Sequence, residues 1–516
     1  MREGVTMIHT SVWQVHPVVR HPDEGRNSFA AAVPTSRDAV PNGSRITSGM
    51  KRIVGSILLT LTMAGCAVGP NYERPAIRAS AAGPFVSSAP ATSPEAPVPA
   101  DWWRLYDDPV LDGLIERALV ANTDLRVAAA NLGRARAALG EARAARLPAT
   151  QSSGGASYGD ATTSSYTPGE DQWTYTAGLS VSWEVDLFGR VTRTIQAARA
   201  DAQAVEAARD RVRVTVVANT VRSYGDACNL AESLAVARES LASAEASLKL
   251  VTAQQQAGSA GRLDVERAAT LAETTRAAIP PLESQRRAAL FELAALIGAT
   301  PSEVPPEAAA CSRVPAVRRA IPIGDGAALL RRRPDVREAE RMLAADTARI
   351  GIATADLFPR VTLGGAANFL RNDQIGGNDS FTFSVGPLVS WSFPNIAATR
   401  ARLRQARFQG DASLAAFDGV VLTALKEVEQ ALSAYAAAQQ RDAALADARR
   451  RADNAYRLAD IRYRAGSVSY LDLLVAQREL LDSRAALASS GQALAEARVD
   501  VFKALGGGWE EAQATK

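Results

Sequence analysis

Two stretches of this 516-residue chain are copies of one another, which limits its fold more than any other feature. Asp124 and Pro148 recur 211 residues later as Asp335 and Pro359. Trp183, Gly258, Asp264 and Gly298 recur as Trp391, Gly466, Asp472 and Gly506, all displaced by 208. The three-residue difference falls between Pro148 and Trp183, where a loop absorbs it. A tandem repeat of about 200 residues therefore replaces the three or four unrelated domains that length alone suggests. The chain divides into a leader and signal (1–65), an N-terminal tether rich in Pro, Ala and Ser (66–106), a first repeat (107–300), a Pro-rich connector (301–325), a second repeat (326–506) and a short tail (507–516).

Each copy changes period twice. Asp107-Asp108-Pro109 supplies an acidic cap and a first-turn proline. Leu111, Leu114, Ile115, Ala118 and Leu119 then recur at helical spacing, predicting one helix that runs to Pro148. From Trp173 to Trp183 the odd positions are apolar or aromatic and the even ones small or hydroxylic. Phe381, Phe383, Val385, Val389, Trp391 and Phe393 do the same in the second copy. Upstream partners around 150–159 and 361–370 complete two hairpins. The helical period then returns without a proline for 68 residues (190–257) and 70 residues (396–465), each about 100 Å long as one helix. Leu234, Leu241 and Leu248, with Leu230, Ala237, Ala244 and Val251, form a heptad seam; Leu445, Ala448, Ala452, Ala455 and Ala459 predict its counterpart. Glycine turns at 258–261 and 466–468 send the chain back along returning helices, the first kinked at Pro280-Pro281.

Met50-Lys51-Arg52 and the apolar run Ile53–Met63 read as a secretory signal, too short to span a bilayer, with synthesis starting at Met50. The first 65 residues hold 7 of the 58 basic and 4 of the 55 acidic side chains, leaving 51 of each. They also hold all three histidines, His9, His16 and His21. The remaining chain can build neither a Ser-His-Asp triad nor a His-ligated metal site, and it lacks the excess of cations that nucleic acid requires. Enzyme chemistry is disfavoured. Cys66 follows Leu61-Thr62-Met63-Ala64-Gly65 as the acylated residue of a bacterial lipobox would, so a covalent lipid is the one attached group expected. Cys228 and Cys311 could pair in an oxidising compartment, but without CxxC spacing they read rather as two unpaired buried thiols.

An 11-residue strand with Trp173 and Trp183 at its ends has the length and aromatic girdle of a transmembrane β-strand, with Trp391 and Phe393 in the corresponding place. Four strands alone would leave two unpaired edges in lipid, and they are too few to close a barrel. Copies must therefore share one barrel, two giving eight strands and three giving twelve.

Several segments resemble a known family. They are Cys66–Tyr72 with Arg74-Pro75; Trp102-Trp103 followed by Asp108-Pro109; Asp186-Leu187-Phe188-Gly189-Arg190; Arg332-Arg333-Pro334-Asp335-Val336 through to Phe358-Pro359; and Tyr463-Arg464-Ala465-Gly466 with Tyr470-Leu471-Asp472. The chain resembles a TolC-type outer membrane factor, in the lipoprotein (NodT/OprM-like) branch that serves resistance-nodulation-division efflux pumps. The resemblance implies a mainly α fold with a small β part, in which a homotrimer shares a twelve-stranded outer membrane barrel continued by a helical tunnel in the periplasm. It also implies a passive duct fed by an inner-membrane pump and a periplasmic adaptor. Ala67 after the lipidated cysteine agrees with delivery to the outer membrane.

The family's gate lies at the periplasmic helix tips. The matching positions are Asp264 and Asp472, beside Leu471, and Tyr463, which in relatives meets an aspartate and an arginine. The arginine position is Val468 and a second acidic position is Val475; Arg262, Arg462 and Arg464 are the nearby cations. Asp after a glycine turn also suits any helix start, and Tyr463 equally suits a packing seam. Arg331-Arg332-Arg333 before Pro334 reads as a structural element of a helix start. Two further readings stand beside the efflux duct: the exit duct of a type I protein secretion system, and a non-conducting coiled-coil envelope lipoprotein.

Overall fold

In the computed structural model, which describes residues 67–509 apart from 88, 90–91, 94–97, 161–170, 314–316 and 318, the two repeats are visible element by element. Cys66, the signal and residues 510–516 lie outside the described residues. In chain order the elements are α1 (Ala79–Ala82), β1 (Thr92–Ser93), a 3₁₀ turn (Trp102–Tyr106), α2 (Pro109–Ala121), α3 (Thr123–Ala144), β2 (Ala149–Asp160) and β3 (Asp171–Val185). Then come α4 (Arg190–Gln256), α5 (Arg262–Ala277), α6 (Ile279–Leu296), α7 (Pro306–Ala309), β4 (Ile321–Pro322), α8 (Gly326–Arg332) and α9 (Pro334–Ala355). The chain closes with β5 (Arg360–Arg371), β6 (Phe381–Ser390), α10 (Ala397–Arg464) and α11 (Tyr470–Ala504).

The single helix expected from residue 107 to Pro148 is two, because Asn122 starts a new one. Its Oδ1 accepts from Asp124 N (3.0 Å) and Leu125 N (3.2 Å), capping α3, while its Nδ2 donates to Leu296 O at the end of α6 (3.0 Å). Arg333, the same position in the second repeat, reaches Ala504 O at the end of α11 with Nη1 (2.9 Å). Arg332 Nε reaches Leu505 O (2.9 Å), and Trp509 Nε1 donates to Arg332 O (2.8 Å). The same junction is thus built with an amide in one repeat and two cations in the other, placed where helix carbonyls lack intrahelical donors. Asp335 binds the Arg333 guanidinium through both oxygens, at 2.9 and 2.6 Å, and Glu427 adds a third contact at 2.7 Å. Burial raises the Asp335 carboxyl, but the Arg333 contacts outweigh it and leave it below the usual carboxylate range.

The main core lies part-way along the long helices, where α2, α6, α8 and α11 close around α4 and α10. Trp102 is wholly buried and stacks on Phe502 with ring centroids 4.4 Å apart. Leu111, Leu114, Ile115, Val217, Leu293 and Leu432 surround them. Cys228 and Cys311, expected as free thiols, form a disulfide here, with Cα atoms 5.1 Å apart. The connector folds back over α6, as the bond from Arg286 Nη2 to Ala309 O shows, and its Cys311 reaches Cys228 of α4, 83 residues away in sequence. β1 pairs with β4 in parallel, so the connector also meets the N-terminal segment.

Towards the turn ends the helices pair along heptads. In α4, Leu230, Leu234, Ala244 and Val251 are buried, and Ala237, Leu241 and Leu248 are partly so. In α10 the seam differs from expectation: Leu445, Ala452 and Ala459 are partly buried, but Ala448 and Ala455 are exposed. The other row falls one residue later, on Tyr456 and Tyr463, whose rings reach a contact that alanine cannot. As the prolines predict, the first returning helix is broken at Ala278, between α5 and α6, while α11 continues for 35 residues.

Two stability predictions follow from these contacts. Arg333→Ala should cost about 2–3 kcal/mol in denaturant unfolding, since it strips the half-buried Asp335 carboxylate of its charged partner. Asp226, between α4 and α11, is pushed up to about 6, first by burial and then by Glu496. Its folded form holds a proton more tightly than the unfolded chain, so its burden on stability develops between about pH 4 and pH 6 and is complete above that. Asp226→Asn should therefore melt a few degrees higher than the parent at pH 7.5, with no difference below pH 4.

Candidate functional site

The four long strands form one antiparallel sheet in the order β2-β3-β5-β6. Directly paired residues point to the same side, so the register fixes both faces. Tyr158 pairs with Trp173, Trp183 with Leu363, and Ala367 with Phe383. These aromatic and aliphatic side chains share one face with Tyr175, Leu179, Val181, Phe381 and Val385. The opposite face carries Ser153, Ser157, Thr174, Thr176, Ser180, Thr362, Asn368, Thr382 and Ser384. Phe383 is 86% exposed and Val385 84%, so no described part of the chain covers the apolar face there.

Aromatic clusters mark both ends of that face. Trp173 contacts Tyr158 (5.5 Å) and Tyr175 (6.1 Å) at the loop end, near Phe369 and Phe381 (5.1 Å). At the helix end Trp391 stacks on Phe393 at 4.6 Å. Trp183 Nε1 donates to Arg146 O (3.0 Å) and Trp391 Nε1 to Leu357 O (3.1 Å). Each indole thus ties the foot of a strand to the end of the helix that precedes the hairpin. β6 stops at Ser390, short of Trp391 and Phe393, which the alternation had included.

Asp186 makes the elbow from β3 into α4. Its carboxylate accepts from Val191 N, Thr192 N (both 2.8 Å) and Thr192 Oγ1 (2.7 Å), while Gly189 turns the chain with φ +77°. Glu184 and Arg190 pair across the elbow. No helix among the described residues is long and apolar enough to cross a membrane. Nor, among the described residues, do three His, Cys, Asp or Glu side chains cluster as a metal site needs.

A scan of the chain against protein families matches the outer membrane efflux protein family over residues 114–299 and again over 327–507. The chain belongs to that family. Its double match is the duplication read from the sequence. The chain is 32% identical over 469 residues to the outer membrane protein OprJ of Pseudomonas aeruginosa, covering 89% of this chain and 96% of that one. It is 32% identical over 382 residues to nodulation protein T of Rhizobium leguminosarum bv. trifolii, covering 73% and 80%. Among solved structures it resembles the outer-membrane channel OprN, with TM-score 0.78, 37% identity, and coverage of 86% of this chain and 100% of that one. The open-state MtrE channel of Neisseria gonorrhoeae gives TM-score 0.75 and 28% identity, covering 86% and 99%. The TolC-like fold and the outer membrane location follow, and the protein is an outer membrane efflux channel; OprN and MtrE are themselves outer membrane channels.

At the other end of the long helices lie the two turns. Gly258 N donates to Gln255 O (3.0 Å) and Ser259 N to Gln254 O (2.8 Å). Gly466 and Ser467 repeat this at Tyr463 O and Arg462 O, both at 2.9 Å. Both are Schellman ends, in which a left-handed glycine (φ +78° and +72°) lets the chain reverse. Asp472 closes a capping box with Ser469: its carboxylate accepts from Ser469 N (2.9 Å) and its own N–H donates to Ser469 Oγ (3.2 Å). The Ser469 side chain and backbone hold Asp472 below the usual carboxylate range. Leu471 beside it is exposed. Asp264 sits in the first turn of α5 and meets Arg267 at 3.6 Å.

Tyr463 does not bond Asp264; its hydroxyl donates to Gln254 Oε1, joining α10 to α4. Its ring meets Tyr470 edge-on at 5.6 Å. Of the nearby cations, Arg262 pairs with Glu266 and Arg464 with Asp460, each within its own helix. Gln254 had no signal in the sequence, being one of three consecutive glutamines, and Tyr470, though part of a motif that carried the resemblance, gave no sign of its contact with Tyr463. Tyr470 is buried, and its hydroxyl is pushed up to about 12 by burial first, then by Tyr463 and Asp264.

Gln254→Leu should loosen the join between the two turns while leaving both Schellman ends intact. Loss of one hydrogen bond, about 1 kcal/mol, should speed amide exchange at 254–263 and 463–470 roughly fivefold. Tyr463→Phe should match it.

Proposed function

We propose that three copies of this chain close twelve strands into one barrel, continued by a helical tunnel into the periplasm. The observation that carries the reading is the sheet itself, with one uncovered apolar face, one hydroxyl-lined face and free edges at β2 and β6. Lipid solvates the first face, water in the pore the second, and the edges pair with neighbouring copies. The duct is passive. An inner-membrane pump of the resistance-nodulation-division type supplies energy, and a periplasmic adaptor joins the two. Cargo is small toxic molecules, a reading supported by relatives such as the toluene efflux pump outer membrane protein TtgC of Pseudomonas putida. Cys66 carries a covalent lipid that adds a second hold on the outer membrane. Trp173, Trp183, Trp391 and Phe393 sit at the levels where lipid meets water.

The aperture lies at the turns, where threefold symmetry sets three Asp472 carboxylates around one axis, with Asp264, Tyr463 and Leu471 on its wall. Within one chain Ser469 favours the ionised form of Asp472, while the like charges of a ring oppose it, so the ring attracts cations in the neutral range and protonation relieves its repulsion in acid. Purified protein in planar bilayers should give discrete, cation-selective conductances at pH 7. Asp472→Asn should move the reversal potential in a salt gradient towards zero. An unchanged reversal potential would take Asp472 out of the aperture.

A further inference from the structure

The segment after Cys66 does not hang free as a tether. Ala67–Asn71 lies in a slot between α4 of the first repeat and α9 of the second, with Arg193 at its centre, one turn into α4 and only 3% exposed. Its Nε donates to Val68 O (3.2 Å), and its Nη2 to Gly69 O (3.1 Å), Asn71 Oδ1 (3.0 Å) and, more weakly, Ala67 O (3.5 Å). Its Nη1 donates to Gln196 Oε1 at 3.0 Å. These acceptors are neutral, and four of them belong to the segment itself. A cation buried in this way is tolerated only when its donors are satisfied together, so the seated segment and the arginine stabilise each other.

Three glycines make the fit possible. A Cβ on Gly189 would lie 2.5 Å from Ala67, one on Gly69 2.6 Å from the Gly351 Cα, and one on Gly351 2.8 Å from the Arg193 side chain. Val68 N adds a bond to Phe188 O at 3.2 Å. Further along, Glu340 of α9 accepts from Tyr72 (3.1 Å) and pairs with Arg74 (3.2 Å). The segment is thus gripped by both repeats within eight residues.

We propose that Arg193, Gly189 and Gly351 form a binding slot for the chain's own N-terminal segment, which fits it through Gly69, and that the seated segment pins the two repeats together below the sheet. It also fixes the point from which the acylated end departs, a consequence that rests on the lipidation reading of Cys66; the pinning does not. A lysine cannot replace Arg193, because a single ammonium cannot span acceptors on residues 68, 69 and 71 as a planar fork does.

Hydrogen exchange on the full-length protein in detergent tests this, comparing the parent with Arg193→Ala, Arg193→Lys, Gly69→Val and Cys66→Ser. The first three should speed exchange at 67–72 about tenfold or more and also raise it where the slot walls meet, at 190–197 and 350–355. Exchange at 216–221 should stay unchanged, showing that the core remains folded. Cys66→Ser should match the parent. Gly69→Val alters the segment alone, so it decides the matter even if Arg193→Ala does not fold. Parent-like protection at 67–72 in Gly69→Val would overturn the slot; release of the segment with unchanged slot walls would overturn the pinning. Loss of protection in Cys66→Ser would show that the lipid, not the slot, holds the segment.

Discussion

A backbone N–H or C=O in hydrocarbon has no water to bond with, and each one left open costs several kcal/mol. The four strands satisfy this among themselves through β2-β3-β5-β6, but the outer sides of β2 and β6 face away from every other strand of the sheet. Four strands of 12, 15, 12 and 10 residues, in two hairpins, are therefore unstable in a membrane as a single copy. The rest of the chain serves that demand. In the proposed trimer the long helices give neighbouring copies a shared surface, and the belt at mid-length, around Trp102 and Phe502, holds each copy's helices in register.

The duplication has a physical content that a matrix of identities does not show. Gly258 and Gly466 each carry the left-handed residue that ends a long helix, and Gly298 and Gly506 do the same for the returning helices. Trp183 and Trp391 tie strand to helix through equivalent carbonyls. Positions that recur are those where the backbone reverses, caps or crosses a boundary. Between them the copies have diverged: Asn122 and Arg333 solve one capping problem with different chemistry, and only one returning helix is broken by proline.

These features explain what the sequence made legible. Period-2 segments, unbroken helical runs and glycine turns depend on local geometry, so strand and helix positions could be read within a few residues. The resemblance, carried by Asp186–Arg190 and Arg332–Val336, supplied the family. What stayed hidden depends on distant parts of the chain meeting. Cys228 and Cys311 were read as free thiols because nothing local shows the connector reaching α4. Asn122 gave no sign that it caps one helix and clamps another 174 residues away. The α10 seam was placed on small residues, Ala448 and Ala455, while the contact needed the reach of Tyr456 and Tyr463. The 67–100 segment lacks any period, which reads as loose chain, yet Arg193 binds it through three backbone carbonyls, which carry no pattern, and the Asn71 side chain. The bond between Tyr463 and Gln254 escaped notice for the same reason, since a glutamine carries no pattern.

The account turns on β2 of one copy pairing with β6 of the next. Cysteines placed at Ser153 or Ser157 in β2, combined with Thr382 or Ser384 in β6, can be linked by a short bifunctional maleimide in outer membranes and resolved under denaturing conditions. The account predicts a ladder of one, two and three linked chains that goes no higher. Linkage confined to single chains, or a ladder ending at two, would contradict it.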